Sequence, residues 1–333
     1  MIGKRRIRQA RISEVRRPDR ISISALGDFR LAGREAIERP DVQDGVLLPY
    51  CMDLLRARSL YVGGVDPRDA QAAPFYYLHL RRHARIVVSV PWEQGRLYEG
   101  DRRAPIFLFS PGRCGSTLLS RILSAANAPN VSEPDFYTQL TAAAVASLFN
   151  PLLPAIKRAA ANMGSDLALT IDGMSPPVVK LRAESCRSPN LLLGASERRS
   201  LFMTRDFEAW ARSNIRAFRN SPGKSVRKYM RAVAAYAWLK RNSDCHLVRY
   251  EDLLADPGAT TTALATFLGR AIAPEAVAAA MTEDSQEGTP LEQGARPDLP
   301  GWERRFADTM ALWNSDRLRM ARDRLGVDEL FAG

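Results

Sequence analysis

Residues 105–119 read P-I-F-L-F-S-P-G-R-C-G-S-T-L-L, and this stretch decides the fold. Residues 106–110 are apolar or β-favouring, a turn with two glycines and an arginine follows, and a helical pattern begins at once. That is a strand, a tight loop and a helix start. The first turn of a helix leaves main-chain N–H groups without intrahelical partners, and Gly112 and Gly115 let a ligand approach the backbone where a Cβ would block it. Such a junction suits an anion, most often a phosphate.

Outward from the loop, the chain after residue 104 alternates strand and helix. Strands are expected at 106–110, 178–181, 199–204 and 246–250. Helices are expected at 117–126, 138–148, 154–162, 206–218, 225–240, 257–268, 274–281 and 302–324. This order predicts a P-loop-like, three-layer α/β core with a central parallel sheet, over 101–333. Residues 284–300 form a long loop rich in Pro, Gly and acids, and loops of that length are often functional. Before the core, residues 21–100 read as a small, mostly β module, with strands at 46–50, 59–62, 75–80 and 85–90 and a short helix near 52–58. Residues 1–20 are arginine-rich and read as a mobile basic arm. His79 and His83 are four apart, but on the expected strand they are not helical neighbours and no further Cys or His lies close, so no metal site is expected.

The 333 residues are 46% hydrophobic and 26% charged, with no apolar run near the roughly 20 residues of a membrane span. Net charge is +11, and 42 of the 48 cations are arginines, the side chain that grips phosphate and sulfate in a bidentate fork. A polyanionic ligand is therefore favoured. Aromatic residues are only 8% and no nucleic-acid-binding signature is present, so no specific nucleic-acid partner is expected. Cys51, Cys114, Cys186 and Cys245 are scattered without a C-x-x-C pair, and no secretory h-region opens the sequence. A reduced, cytoplasmic setting is the expectation. Oligomeric state is left open.

The loop differs from its look-alikes. A Walker A loop needs a lysine before Ser/Thr, whereas Ser116 and Thr117 follow Gly115 directly. A cysteine phosphatase loop is C-x5-R, and six residues separate Cys114 from Arg121. Cys114 lies beside Arg113 near a helix start, which would favour its thiolate, but a small residue that simply fits the loop is the favoured reading.

What P-G-R-C-G-S-T resembles is the 5′-phosphosulfate loop of the sulfotransferases that use 3′-phosphoadenosine 5′-phosphosulfate (PAPS), whose loop reads P-[KR]-x-G-[ST]-[ST]. The family's second element is an arginine followed eight residues later by a serine, on a strand-to-helix junction, for the 3′-phosphate. Residues 201–213 read L-F-M-T-R-D-F-E-A-W-A-R-S, which places Arg205 and Ser213 at that spacing with Asp206 as helix cap. A third likeness is V-R-Y-E-D-L-L-A-D-P at 248–257, followed by a helix ending F-L-G. Together these cover roughly residues 104–325; residues 1–100 match nothing.

The resemblance implies a PAPS-dependent sulfotransferase. Gly112, Arg113, Cys114, Gly115, Ser116 and Thr117 would hold the 5′-phosphosulfate, and Arg205 and Ser213 the 3′-phosphate. Sulfuryl transfer needs a base for the acceptor proton and cations for charge on the leaving oxygen. Arg113 is the first cation, and Lys180, closing P-P-V-V-K, resembles the strand-end lysine of several branches. Small-molecule branches have K-T-H there with histidine as base, but this chain reads Lys180-Leu181-Arg182. Branches acting on protein tyrosine, glycolipid or other carbohydrate use a glutamate, and Glu133 in V-S-E-P-D-F-Y takes the matching position. Ser285 resembles a serine that helps hold the phosphosulfate, and Arg304 or Arg305 resembles a basic segment closing over the nucleotide. No metal is implied. The acceptor would be a hydroxylated small molecule, carbohydrate or glycolipid. A nucleotide-dependent kinase and a non-catalytic anion-binding protein are the rival readings.

Overall fold

The computed structural model describes residues 6–38, 45–100, 104–126, 128–146, 150–171, 176–193, 199–282 and 300–331. In chain order their strands are β1 (Ile7–Val15), β2 (Phe29–Ile37), β3 (Leu48–Asp53), β4 (Arg58–Gly63), β5 (Ile86–Pro91), β6 (Ile106–Phe109), β7 (Asn130–Ser132), β8 (Val178–Lys180), β9 (Arg199–Thr204) and β10 (Asp244–Arg249). The class is α/β, with parallel strands joined by helices and an antiparallel sheet in the N-terminal part. Two compact units result, one of Met1–Pro105 with Pro129–Lys180, the other of Ile106–Ala128 with Leu181–Gly333. The division differs from the expected border at 100/101, because residues 129–180 cluster with the N-terminal sheet. Among the described residues no helix is long and apolar enough to cross a membrane.

In the first unit an antiparallel sheet runs in the order β2-β1-β5-β4-β3. Residues 7–15 are thus a sheet strand where a mobile arm is expected. Register shifts at Gln9/Arg11 and Ile12/Glu14 break the two-residue alternation, leaving Ile7 and Ala10 buried among arginines, so the strand does not read as one. The helix expected near 52–58 is instead a hairpin turn between β3 and β4, where the Asp53 carboxylate accepts from the Arg56 N–H at 3.2 Å. The strand expected at 75–80 is the helix Tyr76–His83. Aromatic β-propensity gives way there to burial: Tyr76 donates to Pro49 O, and the fully buried Arg81 reaches Tyr50 Oη and the carbonyls of Arg20 and Ser22. His79 and His83 therefore do share a helix, ring centroids 4.5 Å apart, yet among the described residues no third ligand completes a metal site.

Residues 129–180 join this unit through buried polar bonds. Gln139, on the helix Asp135–Ala146, pairs with both main-chain groups of Met52, accepting at 2.6 Å and donating at 2.9 Å. Tyr61 donates to Asp166 at 2.7 Å from β4, and Ser24 donates twice to the buried Asp135. Strands β7 and β8 pair in parallel, Ser132 opposite Lys180.

In the second unit β9 lies between β6 and β10, all parallel. Leu108, Phe109, Leu201, Phe202 and Met203 are buried, so these strands read as unbroken apolar runs, as both-face burial requires. Asp206 caps the helix Phe207–Phe218 by accepting from Ala209 N–H at 3.0 Å, and Asp256 does the same for Pro257–Leu268 at 2.8 Å. The helix expected over 302–324 breaks into Trp302–Trp313 and Asp316–Asp323. Trp313 stacks on Phe207, centroids 3.8 Å apart.

Candidate functional site

The loop after β6 has the expected form. Gly112 (φ +69°), Arg113 (φ +59°) and Gly115 (φ +88°) are left-handed, and Gly115 caps the helix Ser116–Ala125. A Cβ on Gly115 would overlap the ring of Tyr250, so two requirements converge on glycine there. At Gly112 only the backbone angle demands it, since a Cβ would stand at ordinary contact distance, 3.5 Å from Ala183 Cβ and 3.7 Å from Lys228 Nζ. Ser116 and Thr117 are buried in the first helical turn, whose N–H groups face the loop. Cys114 is fully buried and its thiol points to Met203 O at 3.5 Å.

The second element reaches the same loop. Arg205 follows directly on β9, and Ser213 sits about two turns into the helix Phe207–Phe218. Arg113 Nε donates to Ser213 Oγ at 3.2 Å, tying the phosphosulfate-loop cation to the serine expected at the 3′-phosphate. Three residues earlier on the same helix, Trp210 donates its indole N–H to Gly112 O at 2.6 Å. The Arg205 guanidinium stands 4.6 Å over the Tyr250 ring, and its Nε is buried with no hydrogen-bond partner among the described residues. A buried orphan donor beside an N–H-lined loop fits a phosphorylated nucleotide. Tyr229 fixes the junction from behind, donating to Arg205 O at 2.6 Å, and burial pushes its phenol above the usual range. Trp210 and Tyr250 were not singled out from sequence. Trp210 lies three before Ser213 and hence on one helix face, a signal that was legible; the place of Tyr250 depends on tertiary contact.

Glu133 and Lys180 meet in the first unit. Parallel pairing puts Ser132 and Lys180 side by side at the carboxyl ends of β7 and β8, and Glu133 N–H donates to Lys180 O at 2.7 Å. Glu133 has φ +62°, uncommon for a residue with a side chain. Lys180 is 2% exposed; its ammonium donates to Ser132 Oγ at 3.0 Å, lies 3.3 Å from Glu133 Oε1 and stands 5.2 Å over the Phe75 ring. Ser132 is oriented in turn by donating to Pro74 O at 2.6 Å. The carboxylate of Glu133 stays partly accessible, at 15%.

The remaining expectations fall outside this geometry. Ser285 lies outside the described residues. Arg305 donates to Arg219 O at 2.9 Å, closing the end of the helix Phe207–Phe218, and Arg304 is exposed. Arg212 and Arg216 of that helix pack on Trp302 and Phe306.

No protein-family model and no curated protein matches the chain. Solved structures do. The sulfotransferase domain of the Synechococcus PCC 7002 olefin synthase aligns at 18% identity over 66% of this chain and 98% of its own, with a TM-score of 0.39. A sulfotransferase domain from the curacin biosynthetic pathway aligns at 14% identity over 64% and 99%, TM-score 0.39. Retinol dehydratase, in complex with androsterone and the inactive cofactor PAP, aligns at 14% identity over 85% and 97%, TM-score 0.37. At such scores the chemistry of this chain has to be argued from its own residues.

Proposed function

We propose that the protein is a sulfotransferase that moves a sulfuryl group from PAPS to a hydroxyl or amine, with Glu133 as the base. The observation that supports this most is the 3.2 Å bond from Arg113 to Ser213, which joins two elements found separately in the sequence. A loop for one phosphate would serve many nucleotides; a loop tied to an Arg/Ser pair suits one bearing phosphate at both ends.

In this reading the 5′-phosphosulfate lies against the N–H groups and hydroxyls of Gly115, Ser116 and Thr117, and Arg205, with its orphan Nε, and Ser213 hold the 3′-phosphate. Bound PAPS supplies an activated sulfuryl group. Glu133 accepts the acceptor's proton on a carboxylate oxygen. Arg113 and Lys180 hold negative charge, Arg113 as a fork and Lys180 as an ammonium kept in place by Ser132. The left-handed backbone of Arg113 and of Glu133 costs of order 1–3 kcal/mol each, and such strain concentrates at working positions.

The test is radiolabelled sulfate transfer from PAPS to a panel of hydroxylated small molecules, carbohydrates and glycolipids, detected by an added SO₃ mass. Glu133→Gln keeps the size and loses the base. It is expected to lower kcat by about 100-fold or more with PAP affinity unchanged. Full activity in Glu133→Gln removes this residue from the mechanism. Transfer to no acceptor, with ATP and Mg²⁺ bound in preference to PAP, favours a kinase.

A further inference from the structure

A second concentration of charge adjoins the phosphate loop. The helix Pro222–Asn242 presents Lys224, Arg227, Lys228 and Arg231, spaced i, i+3, i+4 and i+7, and these lie on one face. Arg187, closing the short segment Ala183–Arg187, joins them, and the five cations line a cleft of about 370 Å³ in which Glu184 is the one carboxylate among the described residues. Like charges at this spacing repel. Among the described residues no carboxylate forms an ion pair with Arg187, Lys224, Arg227 or Arg231. The guanidinium of Arg231, an exposed residue, is held below its usual range, first by partial desolvation and then by Arg187 and Arg227. The cleft adjoins the loop, since a Cβ on Gly112 would stand 3.5 Å from Ala183 Cβ and 3.7 Å from Lys228 Nζ, two of its lining residues, while the Gly112 carbonyl is held by Trp210 of the other helix. The nucleotide residues Arg205 and Ser213 are not among its lining residues.

We propose, resting on the sulfotransferase reading above, that this cleft binds the acceptor and that the acceptor is a small molecule or chain segment bearing two or more sulfate, carboxylate or phosphate groups. The volume is that of a small-molecule site and suits one or two sugar-sized units. Fixed cations select by charge number, discriminating against neutral alcohols of the same size. The +11 net charge then has a local use, drawing an anionic acceptor toward the loop.

The experiment uses the full chain saturated with PAP, so that a probe cannot occupy the phosphate loop. Calorimetry measures binding of a trisulfated uronate disaccharide and of myo-inositol hexakisphosphate, with neutral diacetylchitobiose as the size control. Arg187, Arg227 and Arg231 are exposed, so the triple variant Arg187→Ala/Arg227→Ala/Arg231→Ala is expected to fold, checked by an unchanged PAP affinity. At least one anion should bind the natural protein, weaken as salt rises, and lose about tenfold or more in the triple variant, with the neutral sugar not binding. Binding of the disaccharide alone assigns the cleft to sulfated or uronate saccharides, and of the hexakisphosphate alone to phosphorylated acceptors. The proposal is overturned if neither anion binds, or if both bind the triple variant as they bind the natural protein. Failure of PAP to bind while the anions still distinguish the variants overturns the sulfotransferase reading instead, and leaves an anion site without that role.

Discussion

Asp166 shows how much a single buried carboxylate can organise. It accepts from Tyr61 Oη at 2.7 Å, Leu97 N–H at 2.9 Å and Tyr98 N–H at 3.1 Å, and burial raises its pKa although these bonds oppose the shift. Asp166→Ala strands three donors and is expected to cost about 3 kcal/mol or more of stability, read as a lower midpoint in urea with m unchanged. A midpoint equal to that of the natural protein would mean the bonds contribute nothing net. At this scale the sequence was legible where chemistry repeats in short spacing. Arg113, Ser116, Arg205 and Ser213 could be named because their short spacings resemble the two phosphate-binding elements of the PAPS-dependent sulfotransferases. Burial was not legible. Lys180 looks like any strand-end lysine, and only the folded chain reveals it enclosed by Ser132, Glu133 and Phe75. Cys114, which beside an arginine suggested reactivity, turns its thiol into the core.

The strand–loop–helix element depends on Gly115 more than on any other residue. Gly115→Ala adds a left-handed alanine and an overlap with the Tyr250 ring, for an expected loss of about 2–4 kcal/mol, whereas Gly112→Ala meets only ordinary contacts and should cost about 1–2 kcal/mol from the backbone alone. Thermal midpoints of the two variants rank them; an equal loss would show that Tyr250 yields without cost. Elements with unbroken apolar runs, β6 and β9, and those with caps, Phe207–Phe218 and Pro257–Leu268, were read nearly to the residue. Those missed had their pattern overruled by partners. Bulges disguise β1, the Asp53 turn replaces a stretch of good helix formers, and the aromatic run around Tyr76 becomes helix, in which Arg81 reaches four carbonyl or hydroxyl partners.

At the scale of the molecule, the N-terminal residues do not make a module by themselves. Met52, Tyr61 and Ser24 all bond to side chains from 135–166, supplied after the phosphate loop and its helix have been traversed. Linear reading along the chain could not anticipate a unit built from two separated segments. A fragment of residues 1–105 is therefore expected to lack a cooperative melt and dispersed amide NMR signals, and a sharp two-state transition in that fragment would contradict the division. The second unit, by contrast, holds the loop, the Arg205/Ser213 pair and the basic cleft together, and the functional reading depends on it most. Its most direct test is the 3′-phosphate, measured by calorimetric titration of adenosine 3′,5′-bisphosphate against adenosine 5′-monophosphate. The bisphosphate should bind about 100-fold more tightly or better, and Arg205→Ala should erase most of that difference. Equal affinity for the two nucleotides, or a preference for ATP with Mg²⁺, would contradict the account.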